Sequence, residues 1–455
     1  MNATIADSKH DLEALNRFTS GRWLWNERQQ LACRYVNFDL DTLLQLAASA
    51  IGSRSCTEVL KISEGQYNKV LQLTMNDGRE IIAKLPNPNA GRPHFTTASE
   101  VATMDFLRNV LNLPVPRVYA WCSRVSGNPV GAEYIFMEKQ AGIILTNVWD
   151  TLKGKQKVQI LDQIVDIERR LAATKFSQFG SLYYKGDLPD NSDTSPLYVD
   201  STGNEVRSKT FDIGPTNHRS FFDFGKGELD IRRGPWSTVT EYMTAIARRE
   251  IAAAKAGLRL SKKLSALEKY LKVAPHVLPE NKATHTSDLW HGDLHSQNIF
   301  VDPEDPSRIV GIIDWQSVSA CPLFMQVGRP AFLDYNGPVP EDLGKVPLPP
   351  NFDSLDPEEQ RKAKALHRAQ TLHNFYLVRC LQVNEPVFQA IQSQNTLPHQ
   401  VSVVPGLVVM DYEPLLNDLL GDGDSSSSEM RFPLQFSDYE IRQQEQDGEL
   451  WAPRC

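Results

Sequence analysis

The chain has 455 residues, 41% of them hydrophobic and 23% charged, with a formal net charge of −8. This is the balance of a globular protein, long enough for two or three domains or for one two-lobed enzyme with insertions. The negative charge argues against general affinity for nucleic acid or anionic membrane, and it leaves a cationic small molecule open as a partner.

No apolar run approaches the length needed to cross a bilayer. The cysteines, Cys33, Cys56, Cys122, Cys321, Cys380 and Cys455, are scattered without a Cys-x-x-Cys pair. That pattern fits reduced thiols in an intracellular compartment better than a disulfide framework or a zinc site. Met1 to Leu15 carry Asp7, Asp11 and Glu13, whereas a mitochondrial transit peptide is rich in Arg and poor in acids. The expected location is the cytoplasm, with the mitochondrion as the alternative.

Residues 38–52 read as a short amphipathic helix, with Leu40, Leu43, Leu44 and Ala47 on one face. Strands follow. Val59 to Ile62 leads into the loop Ser63 to Asn68, and Val70 to Thr74 forms the next strand. Asn76-Asp77-Gly78 is a hairpin turn, because Gly accepts the positive φ such turns demand, and the strand Glu80 to Lys84 ends on a lysine. The loop holds a single glycine, Gly65, so it departs from G-x-G-x-x-G and reads on its own as a plain turn. A helix over 97–111 carries Val101, Met104, Leu107 and Leu111 on a common face. Thr97-Ala98-Ser99-Glu100 matches a capping box, yet Glu100 also stands on the inward face. Val115 to Trp121 and Glu133 to Glu138 complete a sheet, and a long amphipathic helix spans 154–176.

Residues 181–236, rich in Asp, Ser, Pro and Gly, read either as a specificity insertion over a pocket or as a packed surface excursion. Asp223-Phe224-Gly225 copies a kinase tripeptide but precedes the stretch where it would be needed, and reads as coincidence. Helices over 237–256 and 259–273 lead to Leu289-Trp290-His291-Gly292-Asp293-Leu294-His295-Ser296-Gln297-Asn298-Ile299-Phe300-Val301. After it the strand Ile309 to Ile313 delivers Asp314, followed by Trp315-Gln316. Helices over 356–394, a low-complexity run at 421–428 and a docking segment with Phe432, Leu434, Phe436 and Trp451 close the chain.

Asp293 stands five residues before Asn298, the Asp-to-Asn spacing of a kinase catalytic loop, with Gly292 in place of Arg. Phosphoryl transfer needs a carboxylate near the attacking hydroxyl and oxygen ligands from another element for Mg²⁺. On that basis Asp293 is the candidate base, and Asn298 and Asp314 are the candidate metal ligands. His291 is expected to pack under the loop. Two rivals stand beside this reading: a facial Fe(II) site using His291 and Asp293, and a catalytically silent binding scaffold. The absence of A-P-E disfavours a regulated protein kinase.

H-G-D-L-H-x-x-N-I followed by I-I-D-W-Q resembles the aminoglycoside phosphotransferase family of kinase-like proteins. The phrases Phe18 to Trp23, Ala83 to Gly91 and Phe95 to Phe106 carry a narrower likeness to a fungal branch that includes the altered inheritance of mitochondria protein 9 group. The resemblance implies an α+β, two-lobed fold: a small antiparallel sheet with one helix over 53–140, a helical lobe over 141–420, an extension before residue 53 and a tail after 420. It implies ATP and Mg²⁺ as cofactors and a small hydroxylated molecule as acceptor. Under it Lys84 reaches the nucleotide phosphates, Glu100 pairs with Lys84, and backbone N–H groups from Gly65 to Asn68 touch phosphate. Residues Phe136 to Gln140, Glu138 among them, form the adenine hinge.

Overall fold

The computed structural model describes residues 3–4, 9–189, 195–258, 264–340, 342–394 and 396–407. In Asn68–Met75 every second side chain is buried, Leu71, Leu73 and Met75 among them, the period of a strand with one face on a core. Its neighbours follow the same logic. We label the strands Ala3–Thr4 (β1), Cys56–Glu64 (β2), Asn68–Met75 (β3), Glu80–Pro86 (β4), Val118–Cys122 (β5) and Tyr134–Glu138 (β6). They pair antiparallel in the order β1-β2-β3-β4-β6-β5. Gly78 has a φ of +81° in the turn between β3 and β4, a conformation a side chain resists.

The helix Leu40–Ala50 (α1) begins at Asp39, whose carboxylate accepts from the Thr42 N–H at 2.7 Å. It buries Leu43, Leu44 and Ala47 against the sheet. The helix Phe95–Asp105 (α2) starts earlier than expected, and its last turn, Phe106–Val110, widens so that the Leu111 N–H bonds the Phe106 carbonyl. No capping box forms at Thr97. Its hydroxyl donates instead to Glu133, and Glu100 is left to face inward.

In the large lobe Gly154–Ala172 (α3) lays Ile160, Leu161, Ile164, Val165 and Leu171 into the main core. The expected helix to residue 176 stops at Ala172, because Lys175–Phe176 leaves it to pair as a strand. That move places the Phe176 ring 5.5 Å from Phe106. The described residues of segment 181–236 pack onto the lobe: Ser181–Tyr184 pairs antiparallel with Phe211–Gly214, and Phe211 lies edge-on to Phe106. It also reaches the small lobe, where Tyr183 packs edge-on to Phe95 and the Arg219 guanidinium lies 3.8 Å over the Tyr67 ring. Asp223-Phe224-Gly225 is a surface turn, with Asp223 paired to Arg219 and Phe224 exposed.

Helices Val239–Lys255 (α4) and Leu264–Val273 (α5) follow; residues 259–263 of the expected second helix lie outside the described residues. Pro357–Val383 (α6), capped by Asp356 and Glu359, gives way at Asn384 to Glu385–Gln392 (α7). The expected segments at 421–428 and 432–452 lie outside the described residues. Among those that are described, no helix is long and apolar enough to cross a membrane.

Helices α3 and α6 meet at Glu168, whose Oε2 accepts from the Tyr376 hydroxyl at 2.8 Å. Burial pushes this carboxyl up to about 8. Between its ordinary value and about 8 the folded chain keeps a proton that the unfolded chain has lost, so stability falls as pH rises through that window. Glu168→Gln is therefore expected to stabilise the protein by roughly 2–4 kcal/mol at pH 8, with a smaller gain at pH 5, as read by denaturant melts at both pH values.

Candidate active site

Two strands bring the polar residues together. Ile299–Val301 and Ile309–Ile312 pair antiparallel with Ile299 opposite Ile312, and the Ile313 N–H extends the pairing to the Asn298 carbonyl at 3.0 Å. Asn298 and Asp314 thereby emerge side by side from one hairpin. Asp314 has a φ of +64°, a left-handed conformation that a non-glycine residue adopts at a cost of order 1–3 kcal/mol.

His291 is buried beneath this turn. Its Nε2 donates to the Ile313 carbonyl at 3.0 Å, and its Nδ1 accepts from the Asp293 N–H at 3.3 Å. The ring stands edge-on to Trp315, and burial holds its pKa below the usual histidine value. Both nitrogens are committed to main-chain groups, so His291 is not available as a metal ligand. Among the described residues no group of three His, Cys, Asp or Glu side chains is set to hold a metal. These two observations oppose the Fe(II) reading.

Asp293 projects from the turn with its side chain 77% exposed, and His295 Nε2 lies 3.6 Å from its Oδ2. Asn298 is buried, and its Nδ2 donates to the Asp293 carbonyl at 3.0 Å, which leaves the amide oxygen free of that contact. The Asn298 oxygen and the Asp314 carboxylate are hard oxygen donors of the kind Mg²⁺ takes. This donor set fits a divalent cation on phosphates.

Lys84 reaches the same place from β4. Its Nζ lies 2.7 Å from Glu100 Oε1 on α2 and 2.9 Å from Asp314 Oδ1. Burial works against the ammonium, but Asp314 and Glu100 outweigh it and hold Lys84 above the usual lysine value. Lys84 in turn draws the Asp314 carboxyl below its ordinary range. The inward reading of Glu100 is the geometry observed.

The remaining expected residues lie on the small lobe. Gly65 donates its N–H to the Asn68 carbonyl at 3.0 Å and closes the hairpin, and a Cβ there would meet nothing within 4 Å. The Asn68 amide donates to Gln316 Oε1, two residues past Asp314. Gln66 accepts from Arg34, and Tyr67 lies under Arg219, so the hairpin tip is held from three sides. Phe136 is fully buried with its ring stacked on Tyr134, and its main chain lies inside the sheet between β4 and β5. The Glu138 N–H already donates to the Arg117 carbonyl at 2.8 Å, and its carboxylate accepts from the Arg117 N–H and from Arg108. A main-chain donor for a base on this connection would therefore come from beyond Glu138. Sequence reasoning gave no role to Gln316, though it stands inside the I-I-D-W-Q motif. Nothing in the local pattern around Arg219 marks it.

The chain is similar to known proteins. The model of the phosphotransferase enzyme family matches residues 58–328. A subtelomeric hrmA-associated cluster protein of Aspergillus fumigatus is 36% identical over 367 residues, covering 70% of this chain and 69% of that protein. The altered inheritance of mitochondria protein 9, mitochondrial, of Yarrowia lipolytica is 25% identical over 494 residues, covering 97% of this chain and 82% of that protein. Among solved structures, the streptomycin-ATP-APH(2")-IIa ternary complex overlays with a TM-score of 0.42 at 14% identity, covering 85% of this chain and 97% of the other.

Removing Glu100 leaves the buried Lys84 ammonium with Asp314 as its one carboxylate partner among the described residues. Glu100→Ala is expected to lower stability by about 2–4 kcal/mol, whereas Asp293→Asn, at an exposed carboxylate, should change it by less than about 0.5 kcal/mol. Paired denaturant melts of the two variants check both values.

Proposed function

The chain belongs to the phosphotransferase enzyme family, and from that premise we propose that it transfers the γ-phosphoryl group of ATP to a hydroxyl of a small molecule. One observation carries this reading: the buried Lys84 pairs both with the buried Glu100 and with Asp314, whose side chain is 45% exposed at the cleft, and Asp314 shares its hairpin with Asn298 and the turn of Asp293. Kinase-type catalysis is mostly positioning and charge neutralisation, and these are the groups it uses.

Asp293 orients the acceptor hydroxyl and takes its proton. The hydroxyl oxygen forms a bond to the γ-phosphorus as the bond to the bridging oxygen breaks, and ADP leaves. A carboxylate of ordinary basicity suffices, because the transition state is loose. Lys84 neutralises phosphate charge, and Glu100 keeps its ammonium aimed. Mg²⁺, when bound, screens the phosphate oxygens, and the Asn298 oxygen and the Asp314 carboxylate would hold it. Main-chain groups of the Gly65 to Asn68 hairpin would meet phosphate, and those past Glu138 in the Phe136 to Gln140 connection would meet adenine. The exposure of Asp293, in contrast to the buried Lys84, suits a group that must reach an incoming acceptor.

The test uses purified protein, γ-labelled ATP, Mg²⁺ and a panel of hydroxylated metabolites. Asp293→Asn is expected to lower transfer by about 10²–10⁴-fold while Mg²⁺-ATP binding, read by calorimetric titration, stays unchanged. Undiminished turnover in that variant overturns the assignment. Asp314→Ala should weaken nucleotide binding in Mg²⁺ far more than in EDTA, and equal losses in both would remove Asp314 from the metal site. Binding of Mg²⁺-ATP with no transfer to any acceptor would favour the scaffold reading.

A further inference from the structure

Helix α2, which carries Glu100, is held at both ends by the segment 181–236. At its start the His94 ring joins that segment to the small lobe: Nε2 donates to the Asp187 carbonyl at 3.2 Å, and Nδ1 accepts from the Ser123 hydroxyl at 2.8 Å. At its end the Asp105 carboxylate accepts from the Tyr184 hydroxyl at 2.7 Å. Between these ends α2 packs along the strand Ser181–Tyr184, with Phe95 edge-on to Tyr183. The Tyr184 ring stacks with Trp121 of β5 and with Phe211, which fixes the direction of its hydroxyl.

The same strand is rooted beside the other partner of Lys84. Gly180 and Ala320 exchange backbone hydrogen bonds at 3.0 and 2.7 Å, and the Ser181 hydroxyl lies 2.8 Å from the Ser319 hydroxyl. Ser319 and Ala320 stand five and six residues past Asp314. One strand therefore touches, at its base, the segment that follows Asp314 and, along its length, the helix that carries Glu100. Lys84 lies where those two carboxylates meet. Drawing either carboxylate away leaves a buried ammonium with less compensation, so the spacing of their two supports bears on the charge offered to phosphate.

Resting on the phosphotransferase reading, we propose that the strand Ser181–Tyr184 is a strut that sets Glu100 against Lys84, and that Tyr184 and Asp105 are positioning residues for the nucleotide. They act through α2. The bond between them fixes the end of the helix little more than one turn past Glu100, and a shift of α2 carries Glu100 with it. A hydrogen bond to a carboxylate is roughly twice as strong as a neutral one, and a misplacement of about 1 Å can cost on the order of 10²-fold in rate. A plain packing role would lower stability and leave nucleotide affinity alone, and that difference decides between the two.

The test reads Mg²⁺-ATP affinity by calorimetric titration, and exchange of the α2 amides by mass spectrometry, on the full chain. Tyr184→Phe is expected to weaken Mg²⁺-ATP binding about 3- to 30-fold and to speed exchange of the Phe95–Asp105 amides. Asp105→Asn keeps an oxygen for the Tyr184 hydroxyl and should retain most of the affinity. Asp105→Ala should match Tyr184→Phe, and it serves if Tyr184→Phe does not fold. The two together should lose no more than either alone. Tyr183→Phe is the control: it removes a hydroxyl that donates to the Pro215 carbonyl at 2.8 Å, so it should lower the denaturant midpoint with the affinity unchanged. Wild-type affinity in Tyr184→Phe, an equal loss in Tyr183→Phe, or independent losses in the double variant overturn the inference while leaving phosphoryl transfer intact. A wild type that binds no Mg²⁺-ATP counts against the phosphotransferase reading, and exchange alone then judges the strut. Faster α2 exchange in Tyr184→Phe than in Tyr183→Phe supports it, and equal rates overturn it.

Discussion

Lys84 stands between two carboxylates that come from opposite lobes, and the geometry of the cleft depends on that arrangement. A buried ammonium loses its hydration and must recover the energy from nearby anions. Glu100 supplies one from α2, and Asp314 supplies the other from the hairpin of the large lobe. The two lobes are thus linked at the place where phosphate would lie. A ligand bearing negative charge and a divalent cation would substitute for the direct Lys84–Asp314 contact, because phosphate offers Lys84 an anion and the cation offers Asp314 a positive partner. Glu100, buried on the small lobe, would keep Lys84 in place through the exchange.

The surroundings reinforce the same cleft. His291 and Trp315 support the turn from below, so that Asp293 can be exposed without the loop around it being loose. Above it, Arg34, Arg219 and Gln316 reach the glycine hairpin from three different parts of the chain. Arg219 belongs to the segment 181–236, which is rooted in the main core through Phe211. That segment therefore connects the large-lobe core to the hairpin tip of the small lobe, a role neither of its sequence readings contained.

Legibility in the sequence followed the range of the interactions. Strands β2 to β4 were readable because alternation and Asn76-Asp77-Gly78 are local signals. The spacing of Asp293, Asn298 and Asp314 marks them as candidates, and the structure sets Asn298 and Asp314 on one hairpin. What escaped depended on distant partners. Lys175–Phe176 reads as the end of a helix by period, yet it pairs with Tyr198–Val199 and Ser287–Asp288. Thr97 fits a capping box on paper, but Glu133, which lies far along the chain, takes its hydroxyl. Arg219 carries no motif, and its significance comes only from the Tyr67 ring it meets.

A crystal structure with Mg²⁺ and a non-hydrolysable ATP analogue tests the central claim most directly. The account predicts the cation on the Asn298 side-chain oxygen and the Asp314 carboxylate, with Lys84 turned from Asp314 to the phosphates and still paired with Glu100. Nucleotide bound elsewhere, or a cation held without Asp314 while the Lys84–Asp314 pair stays intact, would contradict it.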